Sequence, residues 1–218
     1  MIAEFGPAGG DVLVVGAHYD AFVETGPLPG ADDNASGTAG LLELARLLGT
    51  RRVDRPVILV AYANEEPPFF GSEAMGSAIH AESLAATGRR VRGMICLEMI
   101  GYFSPRQTWP NRLFALIYPS RGDFIGVAGG WSDRQLARDV KRAMLGANID
   151  VVSFSGPRAT SDASDHRNYW PHGWPAVMIT DTAFLRNPNY HTNRDTAETL
   201  DYAKMAAVVD GVLNAVVQ

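Results

Sequence analysis

The chain has 218 residues, which suits one domain with a substantial core and is short for two. Hydrophobic residues make up 46% and charged residues 20% of the sequence, an ordinary balance for a globular protein. The net charge is −5, and its scattered Lys and Arg residues indicate neither a nucleic-acid surface nor a polybasic membrane anchor. No run reaches the roughly 18 apolar residues of a membrane helix. We therefore expect no nucleic-acid partner and no membrane partner.

In chain order, apolar β-branched runs alternate with helical patterns. The pattern predicts strand 11–17, helix 36–48, strand 57–63, helix 72–86, strand 91–99, strand 112–118, helix 133–145, strand 150–154, strand 176–180 and helix 196–216. Strands that are apolar on both faces and are separated by helices predict a largely parallel sheet covered on both sides. We therefore expect an α/β fold and a single domain over residues 1–218.

The single cysteine and the first residues carry little information about the compartment. Cys96 lies in the apolar run 94–97 and is predicted to be a buried thiol, so neither an internal disulfide nor a cysteine-based zinc site can form. The first five residues, MIAEF, lack the basic start and the apolar stretch of a signal peptide. The sequence leaves both the compartment and the oligomeric state open.

Side chains that can bind a metal fall just after the predicted strands or near their ends. They are His18 and Asp20 after the first strand, Asp33 before the first helix, Glu65 and Glu66 after the second strand, Glu98 near the end of the third, and His191 after the last. Because active sites in such sheets lie beyond the carboxyl ends of the strands, we expect these groups to meet at one rim. Imidazoles and carboxylates suit zinc, and crowded carboxylates need a cation to balance their charge. The pattern predicts a metallohydrolase.

Six segments carry a more specific signal: GAHYD (16–20), GADDNASG (30–37), NEEPPFFGS (64–72), LEMIG (97–101), SDH (164–166) and YHTNRDT (190–196). Together, and in this order, they resemble the M28 family of metallopeptidases, which includes bacterial aminopeptidases and glutamate carboxypeptidase. Each segment alone is a weak signal, but the set spans nearly the whole chain. The resemblance implies a three-layer α/β/α sandwich with a central, mostly parallel, mixed sheet, the phosphorylase/hydrolase-like architecture of zinc peptidases.

The resemblance implies two Zn²⁺ ions per chain. His18 and Glu98 match the ligands of the first ion, Glu66 and His191 match those of the second, and Asp33 matches the carboxylate that bridges them. Glu98 departs from the family pattern, because many members have aspartate at this position. The extra methylene moves the carboxylate outward by about one bond length.

The resemblance also implies roles beside the metals. Glu65 matches the general base, and Asp20 matches the carboxylate that orients the first histidine. Tyr190 matches a tyrosine that is thought to donate a hydrogen bond to the developing oxyanion in some relatives. Asp165 of the SDH segment is a candidate supporting or substrate-side group.

Other residues are expected to have structural roles. Asp32 and Asn34 are expected to shape the loop around the bridging aspartate, and Asp195 and Thr196 are expected to cap the last helix. Several aromatic residues are candidates for the wall of an apolar substrate pocket: Trp109, Trp131, Trp170, Trp174, Phe69, Phe70 and Phe184.

The resemblance implies an enzyme that hydrolyses peptide bonds, first of all an aminopeptidase with peptide substrates. A carboxypeptidase of the same family and a glutaminyl cyclase-like acyltransferase on the same scaffold are the enzymatic alternatives, and a relative that has lost its metals is the non-enzymatic one. The retained ligand set and Glu65 favour the hydrolase. Family domains usually carry a helix and a strand before the GAHYD strand, so this chain is expected to lack that segment. Family members are often exported, which leaves the compartment open.

Overall fold

The computed structural model describes residues 1–22 and 28–217, and within these ranges a seven-stranded mixed sheet has helices on both faces. The strands are β1 (Ile2–Phe5), β2 (Val12–His18), β3 (Val57–Tyr62), β4 (Val91–Glu98), β5 (Phe124–Gly130), β6 (Asp150–Gly156) and β7 (Ala176–Thr180). The helices are α1 (Gly37–Leu48), α2 (Gly76–Ala86), α3 (Arg112–Ile117), α4 (Arg134–Met144) and α5 (Tyr202–Val217). The predicted α/β fold is confirmed. In these ranges, no helix is both long enough and apolar enough to cross a membrane.

The order of the strands places four carboxyl ends side by side. The sheet runs β1-β3-β2-β4-β7-β5-β6, and the central strands β3, β2, β4 and β7 are parallel. β1 is antiparallel to β3, β5 is antiparallel to β7, and β6 is parallel to β5. The carboxyl ends of the four central strands therefore open on one rim, where the sequence predicts the site.

Alternation along the central strands separates two apolar cores. In β2, Leu13 and Val15 face one side of the sheet, where they join the core formed with α1, α4 and α5. Val12 and Val14 face the other side, where they pack with α2 and a 3-10 helix, Asp165–His172. Because successive side chains of a strand point to opposite faces, a strand buried on both faces must be apolar throughout. The result is the three-layer sandwich.

Residues 112–118, which the sequence predicts as a strand, contain helix α3 instead. The side chain of Asn111 caps its first turn, because Asn111 Oδ1 accepts a hydrogen bond from the backbone N–H of Phe114 at 3.1 Å. No residue of α3 is buried, so this apolar run is not a strand of the core.

Strands β1 and β5 are absent from the sequence prediction. β1 is only four residues long and lies at the edge of the sheet. β5 has the sequence FIGVAGG and is buried at every position. Its three glycines weaken the sequence pattern of a strand, because glycine is rare in strands. A Cβ at Gly126 would lie 2.6 Å from Cε2 of Phe154, so glycine lets the neighbouring ring pack against the backbone.

The C-terminal helix begins later than predicted. α5 starts at Tyr202, and Asp201 Oδ1 accepts the backbone N–H of Lys204 at 3.1 Å, as an N-cap residue does. The expectation that Asp195 and Thr196 cap this helix is therefore wrong. The carboxylate of Asp195 lies elsewhere, against the loop that precedes α1.

Gly16 offers a test of packing in the central strand. A Cβ at this position would overlap the ring of Tyr62. This ring is almost fully buried, and the Tyr62 hydroxyl forms a 2.7 Å hydrogen bond with the hydroxyl of Tyr169. Because the ring cannot move aside, we expect Gly16→Ala to lower the free energy of unfolding by about 1–3 kcal/mol in urea denaturation. Gly49→Ala is the control. Gly49 has φ −64°, which alanine adopts readily, and a Cβ at this position would lie 3.3 Å from its nearest atom, the backbone oxygen of Ala45. Equal losses in both variants would contradict the packing argument.

Candidate metal centre

The loop before α1 is fixed to the end of β4 by Asn34. Its Oδ1 accepts the backbone N–H groups of Met99 at 3.0 Å and Gly37 at 3.1 Å. Its Nδ2 donates to the carbonyl oxygen of Leu97 at 2.9 Å. These bonds hold the preceding residue, Asp33, at the rim of the sheet, and they agree with the expectation that Asn34 shapes this loop.

Two aspartate side chains also hold the loop before α1. Asp32 Oδ1 accepts the N–H of Gly101 at 3.0 Å, and Asp32 Oδ2 accepts from the amide of Asn187 at 2.8 Å. The carboxylate of Asp195 accepts the N–H groups of Asp32 at 3.0 Å and Asp33 at 3.1 Å. Sequence reasoning missed this role of Asp195, and the available signal was its place in the YHTNRDT segment.

Three residues at the rim have a left-handed backbone that is unusual for a side chain other than glycine. Asn64 has φ 61°, Met99 has φ 52° and His191 has φ 53°. Each lies at a candidate site residue: Asn64 precedes Glu65, the candidate base, Met99 follows the candidate ligand Glu98, and His191 is itself a candidate ligand. Backbone strain of this kind clusters at functional sites, where the surrounding contacts hold it in place.

His18, Asp33 and Glu98 form one group of possible metal donors. His18 Nε2 lies 3.4 Å from Asp33 Oδ1 and 3.3 Å from Glu98 Oε2. One donor atom from each residue lies within 4.8 Å of the others, and all three residues are buried. The structure therefore brings together the residues that the sequence assigns to the first ion.

Asp33, Glu66 and His191 form a second group. His191 Nε2 lies 3.0 Å from Asp33 Oδ2 and 3.3 Å from Glu66 Oε1. Neither approach has the geometry of a hydrogen bond, and both Glu66 Oε1 and His191 Nε2 lack a hydrogen-bond partner in the part of the chain that the structure describes. Asp33 thus presents one oxygen to each group, which is the geometry that a bridging carboxylate requires.

Asp20 supports both the first histidine and the two glutamates. His18 Nδ1 lies 3.1 Å from the backbone oxygen of Asp20 and 3.6 Å from its Oδ1. The carboxylate of Asp20 also accepts the backbone N–H groups of Glu65 at 3.2 Å and Glu66 at 3.0 Å. A single side chain therefore orients groups from the ends of both β2 and β3.

The longer side chain at position 98 has a partner of its own. Ser164 Oγ donates a hydrogen bond to Glu98 Oε2 at 2.5 Å, and it lies 3.3 Å from the sulfur of the buried Cys96. Sequence reasoning missed Ser164, although it belongs to the SDH segment. Its neighbour Asp165 is fully buried, and neither of its carboxylate oxygens has a hydrogen-bond partner among the described residues. Burial raises the pKa of Asp165 to about 7.

The crowded carboxylates alter the titration of the whole cluster. Burial, together with the negative charges of Glu98 and Asp165, raises the pKa of Glu65 well above its ordinary value. Burial lowers the pKa of His18, but neighbouring carboxylates outweigh this effect and raise it well above the usual range. The same balance raises the pKa of His191 to about 9. A cation bound among these groups would replace the protons that they hold.

A cavity of about 460 Å³ adjoins the first donor group at Glu98. Glu98 and Tyr190 lie on its wall, and the ring of Tyr190 stacks on His191 with centroids 3.8 Å apart. Much of the remaining wall is apolar and aromatic: Trp109, Phe114, Tyr118, Phe154 and Phe184. Among the described residues, no lysine or arginine lines it. The cavity therefore suits an uncharged, apolar group.

Only some of the aromatic residues that the sequence proposed for the substrate pocket line the cavity. Trp109 and Phe184 line the cavity. Trp170 instead belongs to the core below the 3-10 helix, and Trp131 is 63% exposed. The sequence could not separate them because the residues that line the cavity come from several distant elements and loops, for example Phe114 of α3, Phe154 of β6 and Trp109 of a loop.

Comparison with known proteins places the chain in a family. The model of peptidase family M28 matches residues 1–216. The uncharacterized protein YfbL of Escherichia coli (strain K12) is 52% identical over 224 residues, which cover 98% of this chain and 68% of YfbL. A probable leucine aminopeptidase 1 of Trichophyton verrucosum is 26% identical over 206 residues, which cover 89% of this chain and 51% of that protein. The chain thus spans about two thirds of the first relative and about half of the second.

Solved structures share the fold. BSAP, a zinc aminopeptidase from Bacillus subtilis, superimposes with a TM-score of 0.75 at 24% identity, over 99% of this chain and 48% of BSAP. Porphyromonas gingivalis glutaminyl cyclase superimposes with a TM-score of 0.72 at 20% identity, over 98% of this chain and 75% of the cyclase. The family match over nearly the whole chain confirms the resemblance carried by its six segments, and the chain belongs to peptidase family M28.

Proposed function

We propose that this protein is a two-zinc aminopeptidase that removes apolar N-terminal residues from peptides. The observation that carries the proposal is the pair of donor groups that share Asp33, one group at each of its carboxylate oxygens. Family membership and the leucine aminopeptidase among the relatives support the same reaction.

The donor chemistry fits zinc. His18, Asp33 and Glu98 would hold one ion, and Asp33, Glu66 and His191 would hold the other. Imidazole nitrogens and carboxylate oxygens are ordinary zinc ligands, and Glu66 Oε1 and His191 Nε2, which have no hydrogen-bond partner among the described residues, are available to bind a cation. When bound, zinc supplies Lewis acidity that lowers the pKa of water and polarises a carbonyl group. The structural similarity to a zinc aminopeptidase supports this choice of metal.

Glu65 is the general base in this proposal. Glu65 belongs to neither donor group. Its Oε2 lies 3.9 Å from His18 Nε2, so its carboxylate is next to the first donor group without being part of it. Burial raises the pKa of Glu65 well above its ordinary value, which makes its carboxylate a stronger base. Glu65 takes the proton of the attacking water and passes it to the leaving amine. Asp20 holds the backbone of Glu65 in place for this exchange.

Tyr190 supplies a hydrogen-bond donor on the substrate side. It lies on the cavity wall with Glu98 and stacks on His191. Burial, and then the negative charge of Asp33, raises the pKa of its hydroxyl, which therefore keeps its proton. A protonated phenol at the junction of cavity and donor groups can donate to the oxyanion that develops on the scissile carbonyl.

The cavity favours an aminopeptidase over a carboxypeptidase. A carboxypeptidase must bind a terminal carboxylate, and cationic side chains ordinarily do so. No lysine or arginine lines this cavity within the described ranges. A glutaminyl cyclase is the second candidate, because one such enzyme has the same fold.

Metal content tests the shared carboxylate. We expect wild-type protein reconstituted with zinc to contain two zinc ions per chain, as measured by inductively coupled plasma mass spectrometry. Glu66→Ala removes a donor from one group only and should leave about one ion, whereas Asp33→Ala removes a donor from both and should leave less than one. Glu73→Ala is the matched control, since Glu73 lies in the same loop but is exposed. Full activity of wild-type protein with a single ion would contradict the two-metal proposal.

Replacement of Glu65 tests the base. Glu65→Gln keeps the size of the side chain but cannot accept the proton, so hydrolysis of leucine p-nitroanilide should fall by about 10²–10⁴-fold. The variant should still bind two zinc ions, because Glu65 is not a donor in either group. Glu73→Gln should behave as wild type. A rate near that of wild type for Glu65→Gln would remove the residue from the mechanism.

A substrate panel tests the cavity and the class of enzyme together. Leucine and phenylalanine p-nitroanilides should be cleaved faster than the lysine and aspartate compounds, because the cavity wall is largely apolar and Glu98 is its only charged side chain among the described residues. N-acetylated compounds should be inert, and a chelator should abolish cleavage. Ammonia release from N-terminal glutamine peptides without chain cleavage would identify a cyclase, and cleavage of C-terminal residues alone would identify a carboxypeptidase.

A further inference from the structure

A second cavity opens at the end of the sheet opposite to the metal centre. Its volume is about 500 Å³, and it lies between the sheet and α4. Leu13, near the start of β2, and Ile95 of β4 form its apolar floor, and Leu136 and Val140 of α4 form one wall. Pro175, which precedes β7, also lines it, so the cavity lies at the amino ends of the central strands.

An irregularity in the sheet brings an arginine into this cavity. Where β2 pairs with β4, Val12 is opposite Val91 and Leu13 is opposite Gly93, so the register skips Arg92. A bulge of this kind redirects a side chain, and Arg92 lines the cavity. Gly93 has no side chain, and the space beside it is occupied by Leu136 of α4, whose Cδ1 would lie 3.1 Å from a Cβ at position 93.

The guanidinium of Arg92 has no anionic partner in the part of the chain that the structure describes. Its Nε and Nη2 atoms are buried and have no acceptor within residues 1–22 and 28–217. Arg55 lines the same cavity, and its positive charge adds to the effect of burial in lowering the pKa of Arg92. The carboxylate of Asp139 on the wall is shared with Gln135 at 3.0 Å and Arg142 at 3.5 Å. Buried guanidinium N–H groups without acceptors cost free energy, and an anion in the cavity would remove that cost.

We propose that this cavity is an anion-binding site in which Arg92 and Arg55 hold a phosphate or carboxylate group. The planar guanidinium fork matches the oxygen pairs of both groups. The apolar floor of Leu13 and Ile95 can accept a short hydrocarbon body attached to the anion. The site is separate from the metal centre and does not depend on the proposed peptidase activity.

Binding of two probes to the purified protein tests the site. Titration calorimetry in chloride buffer with inorganic phosphate and with hexanoate should show saturable binding of at least one of them to the wild type. Tighter binding of hexanoate identifies an organic acid that uses the apolar floor, and tighter binding of phosphate identifies a phosphoryl group. Arg92→Met keeps the bulk of the side chain and removes its charge, so affinity should fall by about tenfold or more.

The controls separate this site from general charge effects. Arg121→Met should bind both probes as the wild type does, because Arg121 is 67% exposed and pairs with Asp123 at 2.9 Å. Peptidase activity should be the same in Arg92→Met and wild type. If Arg92→Met does not fold, Arg55→Met replaces it, since Arg55 is exposed and its loss leaves the core intact. Absence of binding to the wild type, or equal binding in the wild type and the arginine variant, overturns the proposal.

Discussion

Four buried carboxylates, those of Asp33, Glu65, Glu66 and Glu98, lie together at one rim of the sheet. Like charges at this spacing repel each other, and their removal from water adds a further cost. The folded chain can hold them only if protons or cations balance the charge. Because the two histidines of the cluster supply at most two positive charges, metal ions are the more complete solution. The rest of the site is arranged around this single electrostatic constraint.

The carboxylates that do not belong to a donor group are used in a different way. Asp20, Asp32 and Asp195 each accept backbone N–H groups from the loops that carry the donors. Their negative charges therefore fix the backbone instead of adding to the crowded charge of the two donor groups. Ser164 acts on a donor side chain directly, since its hydroxyl donates a hydrogen bond to Glu98 Oε2 and holds the longer side chain in place. Orientation of the donors thus comes from residues far away in the sequence.

Strand patterning predicted the central strands and drew attention to the candidate donors for one physical reason, whereas the role of each donor came from the family resemblance. Strands buried on both faces are apolar throughout, so a polar residue that directly follows one, such as His18, stands out. The same reasoning failed where no such contrast exists. The glycines of β5 conceal a buried strand, and the run 112–118 suits a helix as well as a strand when it has no buried face. The sequence segments mark Ser164 and Asp195 as residues of interest but do not reveal their partners, because each partner lies far away along the chain.

The metal centre also depends on how the chain folds, because its donors extend from residue 18 to residue 191. Parallel strands cannot be joined by short hairpins, so β2, β4 and β7 come together only through long crossovers with a large loop-closure cost. Contacts of this kind form slowly. The second donor group includes His191 from near the end of the chain, so it forms only when the fold is complete. By mass action, an ion bound to that group would stabilise the final topology over every less complete arrangement of the chain.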